Sequence, residues 1–296
     1  MSVLEVQNLV KDYGPVRALK GVSFSVPAGT VFGILGPNGS GKTTLLGIIM
    51  DVLKATSGQY QLFGQAPSEK QRKQIGTLLE TPNFYHYLSA VENLRISAAI
   101  KERGGNDIDQ VLQTVGLAAR KDSKFSTYSL GMKQRLAIGA ALLGNPDVLV
   151  LDEPTNGLDP VGIAEIRELI KDLSRQGKTI IMASHLLDEV EKVCTHVAIL
   201  KQGTLITSGH VDEILVADNV IELAAQDLSR LHAIAKQYPG LSRCDLAEHS
   251  VLLYLPANET LDMARINEYC YQNGVVLSQL HLKKKSLETK FFELTS

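Results

Sequence analysis

The residues best suited to chemistry are residues 36–43, which match the phosphate-binding pattern G-x-x-x-x-G-K-[ST]. Glycines in such a loop let backbone N–H groups turn toward an anion, and the following helix N-terminus adds positive charge. The apolar residues 31–35 predict a buried strand before the loop, and residues 44–50 predict a helix after it. We therefore expect nucleotide binding, with Lys42 on the β- and γ-phosphates and the Thr43 hydroxyl on Mg²⁺.

Two carboxylates, Asp152 and Glu153, follow the aliphatic residues 148–151. A buried parallel strand that ends in acid places these side chains at the carboxyl edge of its sheet, where a phosphate loop also lies. We expect Asp152 to hold Mg²⁺ directly or through water, and Glu153 to take a proton from an attacking water. The alternative is a strand that merely ends in a solvated turn, which the phosphate loop disfavours.

Three further residues each admit two interpretations from the residues alone. Tyr13, in a polar turn, is either a half-buried packing residue or a face on which a purine stacks. Ser129 precedes a helix expected at residues 134–143, and is either an ordinary N-cap or part of a second anion site whose phosphate comes from elsewhere. His185 closes the buried strand 179–183 and is either structural or placed beside a γ-phosphate.

The amino-acid composition limits the classes of protein to which the chain can belong. The chain has 296 residues, of which 44% are hydrophobic and 21% charged, and its net charge of -2 gives no general attraction to nucleic acid. Its three cysteines lack metal-ligand spacing, so reduced thiols are expected rather than a zinc site or a disulfide scaffold. The first residues lack the pattern of a signal peptide, and no apolar run approaches the roughly 20 residues that a membrane span needs.

The order of predicted elements indicates two domains. Residues 1–217 show strand and helix patterns, interrupted by a mainly helical insertion at about residues 81–145. In residues 218–296 the patterns follow the order β-α-β-β-α-β, which predicts a small α+β appendage without residues arranged for chemistry. Its three lysines at 283–285 are either a solvated face or a contact for acidic lipid headgroups.

Over roughly residues 2–215 the chain resembles the ATP-binding subunit of an ABC transporter. Six motifs stand in the family's order: the adenine-stacking tyrosine at Tyr13, Walker A at 36–43, the ABC signature at 129–134, Walker B with its catalytic glutamate at 148–153, the D-loop at 158–159 and the switch histidine at His185. The resemblance implies an α/β fold, a P-loop NTPase ABC cassette with a RecA-like mixed sheet and a helical subdomain, here followed by the α+β appendage.

The resemblance also implies a set of site residues. The implied catalytic residues are Glu153, His185 and Lys42. The implied Mg²⁺ ligands are Thr43, Glu80 and Asp152. The implied ATP-binding residues are Tyr13, Gly36, Pro37, Asn38, Gly39, Ser40, Gly41, Lys42, Thr43, Thr44, Ser129, Gly131 and Asp159.

Two positions depart from the common family pattern. The signature carries Gly131 and Met132 where a pair of glycines is usual, and Glu80 stands where many members have glutamine. Both variants resemble the branch that serves antibiotic-resistance, multidrug and bacteriocin-immunity exporters, typified by the bacitracin-resistance ATPase, and so do residues 286–294. A carboxylate at position 80 keeps an oxygen ligand available for Mg²⁺.

The same resemblance implies partners and a location. One chain would hold half a site, so ATP on the phosphate loop would be covered by Ser129 and Gly131 of a second ATPase subunit, in a homodimer rather than a heterodimer. Residues 80–88 and the helical block would form a groove for a helix of a separate integral-membrane permease. The chain is therefore expected at the cytoplasmic face of the cell membrane, held there by the permease, without a nucleic-acid partner.

The function expected from this resemblance is ATP hydrolysis that powers export of a substrate such as an antibiotic, peptide or lipid. The alternative is a soluble ABC ATPase without a permease, acting in DNA maintenance or on the ribosome. The single cassette disfavours the translation type, which carries two in tandem, and the absence of a long coiled coil between residues 43 and 148 disfavours the DNA-maintenance type.

Overall fold

The structure is a computed structural model that describes residues 2–79, 83–215, 218–256, 262–283, 287 and 291, with backbone alone at residues 218, 219 and 283. The chain forms two compact units, Met1–Val211 and Asp212–Leu294. Glu80, most of the lysine run and most of residues 286–294 lie outside the described residues, so the predictions made for them remain predictions.

The first unit contains nine named strands and, up to residue 191, seven named α-helices within the described residues. The strands are β1 (Ser2–Tyr13), β2 (Val16–Pro27), β3 (Val31–Leu35), β4 (Ser57–Leu62), β5 (Ile75–Leu78), β6 (Val148–Asp152), β7 (Thr179–Ser184), β8 (His196–Lys201) and β9 (Thr204–His210). The helices are α1 (Lys42–Ile49), α2 (Glu69–Arg72), α3 (Ala90–Lys101), α4 (Ile108–Thr114), α5 (Leu130–Leu142), α6 (Pro160–Arg175) and α7 (Leu187–Glu191).

A mixed sheet in the order β5-β6-β7-β3-β8-β9 forms the centre of the first unit. Its first five strands are mutually parallel and β9 pairs antiparallel with β8. Every residue of β3, β6 and β7 is buried, because strands of a parallel sheet are covered on both faces. The expected RecA-like mixed sheet is thus confirmed, and it brings the carboxyl ends of β3, β6 and β7 to one edge.

A smaller antiparallel sheet, in the order β2-β1-β4, packs into the same hydrophobic core. Its inward residues include Leu4 and Val22, and they join Ile34 of β3 and Leu46 of α1 in one cluster. This core holds the strand before the phosphate loop and the helix after it on a common support, so the loop between them is fixed at both ends.

The expected helical block is present between β5 and β6, where α3, α4 and α5 pack on one another. Ser89 opens α3 with a capping box, since its hydroxyl accepts from Glu92 N–H and its own N–H donates to the Glu92 carboxylate at 2.7 Å. The predicted start of the next helix at residue 134 was wrong: α5 already begins at Leu130. Ser129 caps it, so the residues of the signature motif form its first turn.

The second unit has the predicted β-α-β-β-α-β order. It contains β10 (Asp218–Ala225), α9 (Leu228–Ala235), β11 (Arg243–Leu246), β12 (Val251–Pro256), α10 (Met263–Gln272) and β13 (Leu277–Lys283), after the short helix α8 (Val211–Leu215). The strands form an antiparallel sheet in the order β11-β12-β10-β13, which is the ferredoxin-like arrangement. Buried residues such as Ile221, Leu253 and Ile266 form a separate core.

Within the residues that the structure describes, no helix combines the length and the apolar character that a bilayer span requires.

Candidate nucleotide-binding site

The phosphate loop joins β3 to α1 with a backbone that needs glycine at two points. At Gly41, where φ is +104°, a β-carbon would lie 2.7 Å from the carbonyl oxygen of Ala18 and 2.8 Å from Leu19 Cδ2. At Gly36, also at positive φ, a β-carbon would overlap the carbonyl oxygen of Leu200. Only glycine adopts these conformations without strain or collision, so the motif's glycine spacing is set by the fold.

The rim of the loop is open, whereas its base is buried. Pro37, Asn38 and Gly39 are exposed, and Ser40 is buried. The Ser40 hydroxyl has no hydrogen-bond partner among the described residues. A buried hydroxyl without a partner is costly, and a phosphate oxygen in the loop would satisfy it. The loop therefore fits a nucleotide's phosphate chain.

Lys42 is held at the centre of the site. Its side chain is only 5% exposed, and its ammonium group donates to the carbonyl oxygens of Gly36 at 2.8 Å and Pro37 at 3.3 Å. The same nitrogen lies 3.4 Å from Glu153 Oε1. A buried cation is thus paired and hydrogen-bonded at the first residue of α1, directly after the glycines of the loop.

Glu153 and His185 meet beside this lysine. Glu153 Oε2 lies 2.8 Å from His185 Nδ1. The register of the sheet explains their proximity, because Asp152 at the end of β6 pairs with Ala183 of β7, and Leu35 of β3 pairs with Ser184 of β7. The expected meeting of these side chains at one sheet edge is what the structure shows, and it gives a carboxylate, an imidazole and an ammonium within one contact network.

The backbone at Glu153 is unusual. Its φ is +47°, in the left-handed region that residues other than glycine seldom occupy. The Glu153 N–H donates to the Ala183 carbonyl oxygen at 3.1 Å, which holds the turn against β7. Strained backbone of this kind is concentrated at functional sites, where the surrounding structure fixes the side chain's direction.

Two side chains with oxygen atoms that could bind a divalent cation also belong to this part of the unit. Thr43 is exposed in the first turn of α1, and Asp152 is buried at the end of β6. Within the described ranges no group of three histidine, cysteine, aspartate or glutamate side chains could hold a metal by itself. A hydroxyl and a carboxylate that share Mg²⁺ with phosphate oxygens fit this donor set, because Mg²⁺ seldom occupies an all-protein cage.

Tyr13 ends β1 and the residue is 44% exposed, which leaves surface on which a base can stack. Lys11 Nζ lies 4.9 Å from the ring centroid and also donates to the carbonyl oxygen of Lys54 at 2.8 Å. The cation therefore restrains the tyrosine. Thr44 is half-buried in α1, one residue beyond the Mg²⁺ candidate Thr43.

The signature residues form a second group, at the N-termini of α5 and α6. The Ser129 hydroxyl accepts from Met132 N–H at 3.3 Å, so the N-cap interpretation holds in this structure. Asp159 accepts from Gly162 N–H at 2.9 Å, and a β-carbon on Gly131 would lie 4.0 Å from Gly162 Cα. Ser129, Gly131 and Asp159 are thus brought together, on elements other than the phosphate loop.

Several supporting residues carried no signal in the sequence. Arg135 of α5 donates to the carbonyl oxygens of Val115 and Gly116, both at 3.4 Å, and approaches Glu165 of α6 at 3.6 Å. The Tyr128 hydroxyl donates to a backbone carbonyl, and burial raises the pKa of Tyr128. The partners of these groups lie on other elements, so spacing along the chain could not reveal them.

The comparisons with known proteins agree with this geometry. The ABC transporter family model matches residues 19–156. The uncharacterized ABC transporter ATP-binding protein YhcH of Bacillus subtilis (strain 168) is 37% identical over 99% of this chain and 96% of its own length. The chain belongs to the ABC transporter ATP-binding subunits. Proteins of this family are ATPases that drive transport, and the expected ABC cassette fold is confirmed.

Two further relatives of this ABC subunit inform its biology. The bacitracin transport ATP-binding protein BcrA of Enterococcus faecalis is 34% identical over 99% of this chain and 96% of its own length. A solved structure of the ATP-binding cassette MJ0796, described as dimeric, in a post-hydrolysis state and bound to ADP and Pi, is 27% identical with a TM-score of 0.62. The match to MJ0796 spans 70% of this chain and 98% of MJ0796. The match to BcrA extends over the second unit as well.

Proposed function

We propose that this ATPase pairs with a second copy of itself around two ATP molecules and powers export through a separate membrane permease. The similarity to BcrA along nearly the whole chain supports an antibiotic, peptide or lipid as cargo, since BcrA is named for bacitracin transport. The permease would hold the subunit at the cytoplasmic face of the membrane. The net charge of -2 supports a function without nucleic acid.

The observation that carries the proposed pairing is the division of the site into two groups. Lys42, Glu153 and His185 converge at the sheet edge, while Ser129 and Gly131 begin a different helix. Ser129 is exposed at the N-terminus of a helix of 13 residues, and the positive dipole end of this helix suits the phosphate of a nucleotide held by another subunit. Because one chain carries both groups, two identical chains would complete two sites.

In the proposed hydrolysis Glu153 orients the attacking water and accepts its proton. His185 is anchored to Glu153 through Nδ1, and its Nε2 would contact the γ-phosphate. Lys42, now held by loop carbonyls and Glu153, would transfer its hydrogen bonds to the β- and γ-phosphates. Thr43 and Asp152 would hold Mg²⁺, which spreads the negative charge of the transition state when it is bound. Tyr13 would stack on the adenine.

A cluster of aromatic residues near the helical block supports the permease contact. Phe84 and His86 pack against Phe125 with ring centroids 5.2 Å and 5.5 Å apart. Next to them Tyr85 and Tyr87 are 51% and 68% exposed. Exposed tyrosines are typical anchors of protein interfaces, because they bury a large apolar area at low conformational cost. We assign this surface to a helix of the permease.

The proposal is tested by purifying the tagged full-length subunit from membranes and identifying the chains that accompany it. We expect a polypeptide with about six apolar spans of about 20 residues each. The double variant Tyr85→Ser, Tyr87→Ser should lose that polypeptide. Tyr271→Ser, which changes an equally exposed tyrosine of the second unit, should retain it.

Two outcomes contradict the permease proposal. One is purification with ribosomes or DNA and without any membrane-spanning chain, which would favour the alternative of a soluble ABC ATPase. The other is retention of the membrane chain by the double tyrosine variant, which would place the docking surface elsewhere.

A further inference from the structure

The segment after His185 is a helix that cannot be stable alone. Helix α7 has only five residues, and its N-cap, Leu186, provides no side-chain hydrogen bond. Isolated helices of this length do not persist in water, so contacts with the rest of the unit must hold α7 in place. Because His185 lies two residues before α7, the position of this helix also limits where the imidazole can lie.

One contact that holds α7 is apolar. Val190 is fully buried against β3, so close to Gly33 that a β-carbon there would lie 2.7 Å from Val190 Cγ1. This contact fixes the distance of α7 from the sheet. Val190 is the buried residue of α7, so a contact on another side of the helix adds to the control of its orientation.

The second contact is an ion pair with α6. Arg167 Nη1 lies 3.1 Å from Glu189 Oε2 and 3.4 Å from Glu189 Oε1. The two side chains are 23% and 15% exposed, so water screens the pair far less than it screens a surface pair. Charge-assisted hydrogen bonds in such surroundings are directional, and they hold two elements in one orientation.

Glu189 has a second basic neighbour, which provides a comparison. Lys192 Nζ lies 3.1 Å from Glu189 Oε1, but its side chain is 53% exposed and it lies three residues along the chain. That pair spans only the end of α7 itself. Arg167, by contrast, lies on the helix that begins immediately after Asp159, in the second group of site residues. Of these two cations, Arg167 is therefore the one that connects α7 to another element.

We propose that Arg167 is a positioning residue for ATP hydrolysis, which acts by holding Glu189, and hence α7 and His185, in register with α6. This inference rests on the proposed role of His185 at the γ-phosphate. The ion pair then links the segment that bears the switch histidine to the helix capped by Asp159. The imidazole keeps its 2.8 Å contact with Glu153 because α7 cannot rotate away from α6.

The test is steady-state ATP hydrolysis by the full-length chain carrying Arg167→Met or Glu189→Gln. We expect each variant to lower kcat about tenfold and to leave KM for ATP within about twofold, because a displaced catalytic group slows chemistry without weakening nucleotide binding. The double variant should be no slower than either single one, since each removes the same interaction. Arg167→Lys should recover part of the rate.

Lys192→Met is the matched control, because it removes the other cation from the same carboxylate; its kcat should stay within about twofold of the parent value. Additive losses in the double variant, a raised KM at unchanged kcat, or equal effects of Arg167→Met and Lys192→Met would each overturn the inference. The midpoint of thermal unfolding is measured for each variant beside its kcat. A fall in kcat that parallels a fall in the unfolding midpoint across all variants would also overturn the inference.

The assay separates this inference from the proposed function. If His185→Ala and Glu153→Gln retain the parent rate, the proposed roles of these residues fail whatever Arg167 does. If they abolish turnover while Arg167→Met behaves as Lys192→Met, the hydrolytic roles stand and the positioning role of Arg167 alone is rejected.

Discussion

At the scale of single residues, the site depends on three side chains that follow or lie near the ends of neighbouring strands. Lys42, Glu153 and His185 form a chain of contacts, with Lys42 3.4 Å and His185 2.8 Å from the carboxylate of Glu153. Glu153 is central because it touches both partners, and its left-handed backbone points the side chain into the site at a cost in strain. Replacing one carboxylate oxygen of Glu153 by an amide nitrogen is therefore the most direct test of the site.

We predict that Glu153→Gln retains ATP but lowers its turnover about 10²- to 10³-fold, because an amide of the same shape cannot accept a proton from water. ATP that is not consumed should then keep two subunits together. Size-exclusion chromatography with ATP and Mg²⁺, together with measured phosphate release, checks both effects.

Asp172→Asn is the control for this substitution, since Asp172 is an exposed carboxylate on α6 that pairs with Arg175. It should hydrolyse ATP at the parent rate and dissociate after turnover. A Glu153→Gln protein that stays monomeric and hydrolyses at the parent rate would refute the catalytic role and the trapped dimer together.

At the scale of elements, α3 and the end of α5 are joined within the helical block by a half-buried lysine. The Lys101 ammonium, in the last turn of α3, donates to the Ala140 carbonyl oxygen of α5 at 2.6 Å. Burial, with a smaller contribution from nearby Arg103, lowers the pKa of Lys101 to about 8. The signature residues begin α5, so this lysine secures the opposite end of the same helix.

We predict that this lysine makes stability rise with pH. The folded pKa of Lys101 is about 8 and the ordinary value 10.5, so between these values the unfolded chain binds a proton that the folded chain has released. Stability therefore increases across that window, by up to about 3 kcal/mol. Thermal unfolding of the parent and of Lys101→Met, compared at pH 7.5 and pH 10, checks this.

In that comparison the difference between the midpoints of Lys101→Met and the parent should shift in the parent's favour as the pH rises. Lys124→Met, which removes an exposed lysine elsewhere in the helical block, should show a constant difference. A difference for Lys101→Met that is equally constant would contradict the assigned cause.

At the scale of the whole molecule, the chain combines two units with separate cores. The first unit contains every proposed site residue that the structure describes, and the core of the second is built from its own strands and helices. Curated relatives such as YhcH extend over both units. We propose that residues 218–296 form a domain of their own that contributes to contact between two copies of the chain.

Truncation after Leu215 tests this proposal. Because the first unit has its own core, we expect the shortened chain to fold and to bind ATP with an affinity within about twofold of the parent. Pairing of its Glu153→Gln form should weaken about tenfold, which corresponds to about 1.4 kcal/mol. Sedimentation across a range of protein concentrations measures that pairing.

A truncated protein that pairs as tightly as the full chain would reject a role of the second unit in assembly. A truncated protein that unfolds or loses ATP would reject the independence of the first unit. The control is the full-length protein carrying Tyr271→Ser, a substitution at an exposed position of the second unit. Its pairing is compared with that of the truncated chain.

The sequence by itself determined the nature of the site. The glycine spacing of residues 36–43, the carboxylates after a wholly aliphatic strand and His185 after another indicated phosphate chemistry at a sheet edge. These features are local: glycine conformation, strand burial and helix capping depend on a few neighbouring residues, so they can be read in order along the chain. The β-α-β-β-α-β order of the second unit was predicted for the same reason.

The tertiary structure decided which of these residues meet. The contacts of Glu153 with Lys42 and His185 depend on the order β6-β7-β3, which no spacing along the chain specifies. The pairing of Arg167 with Glu189 joins two helices across 22 residues. Such contacts depend on the packing of elements that are distant along the chain. They can therefore be identified only in the folded structure.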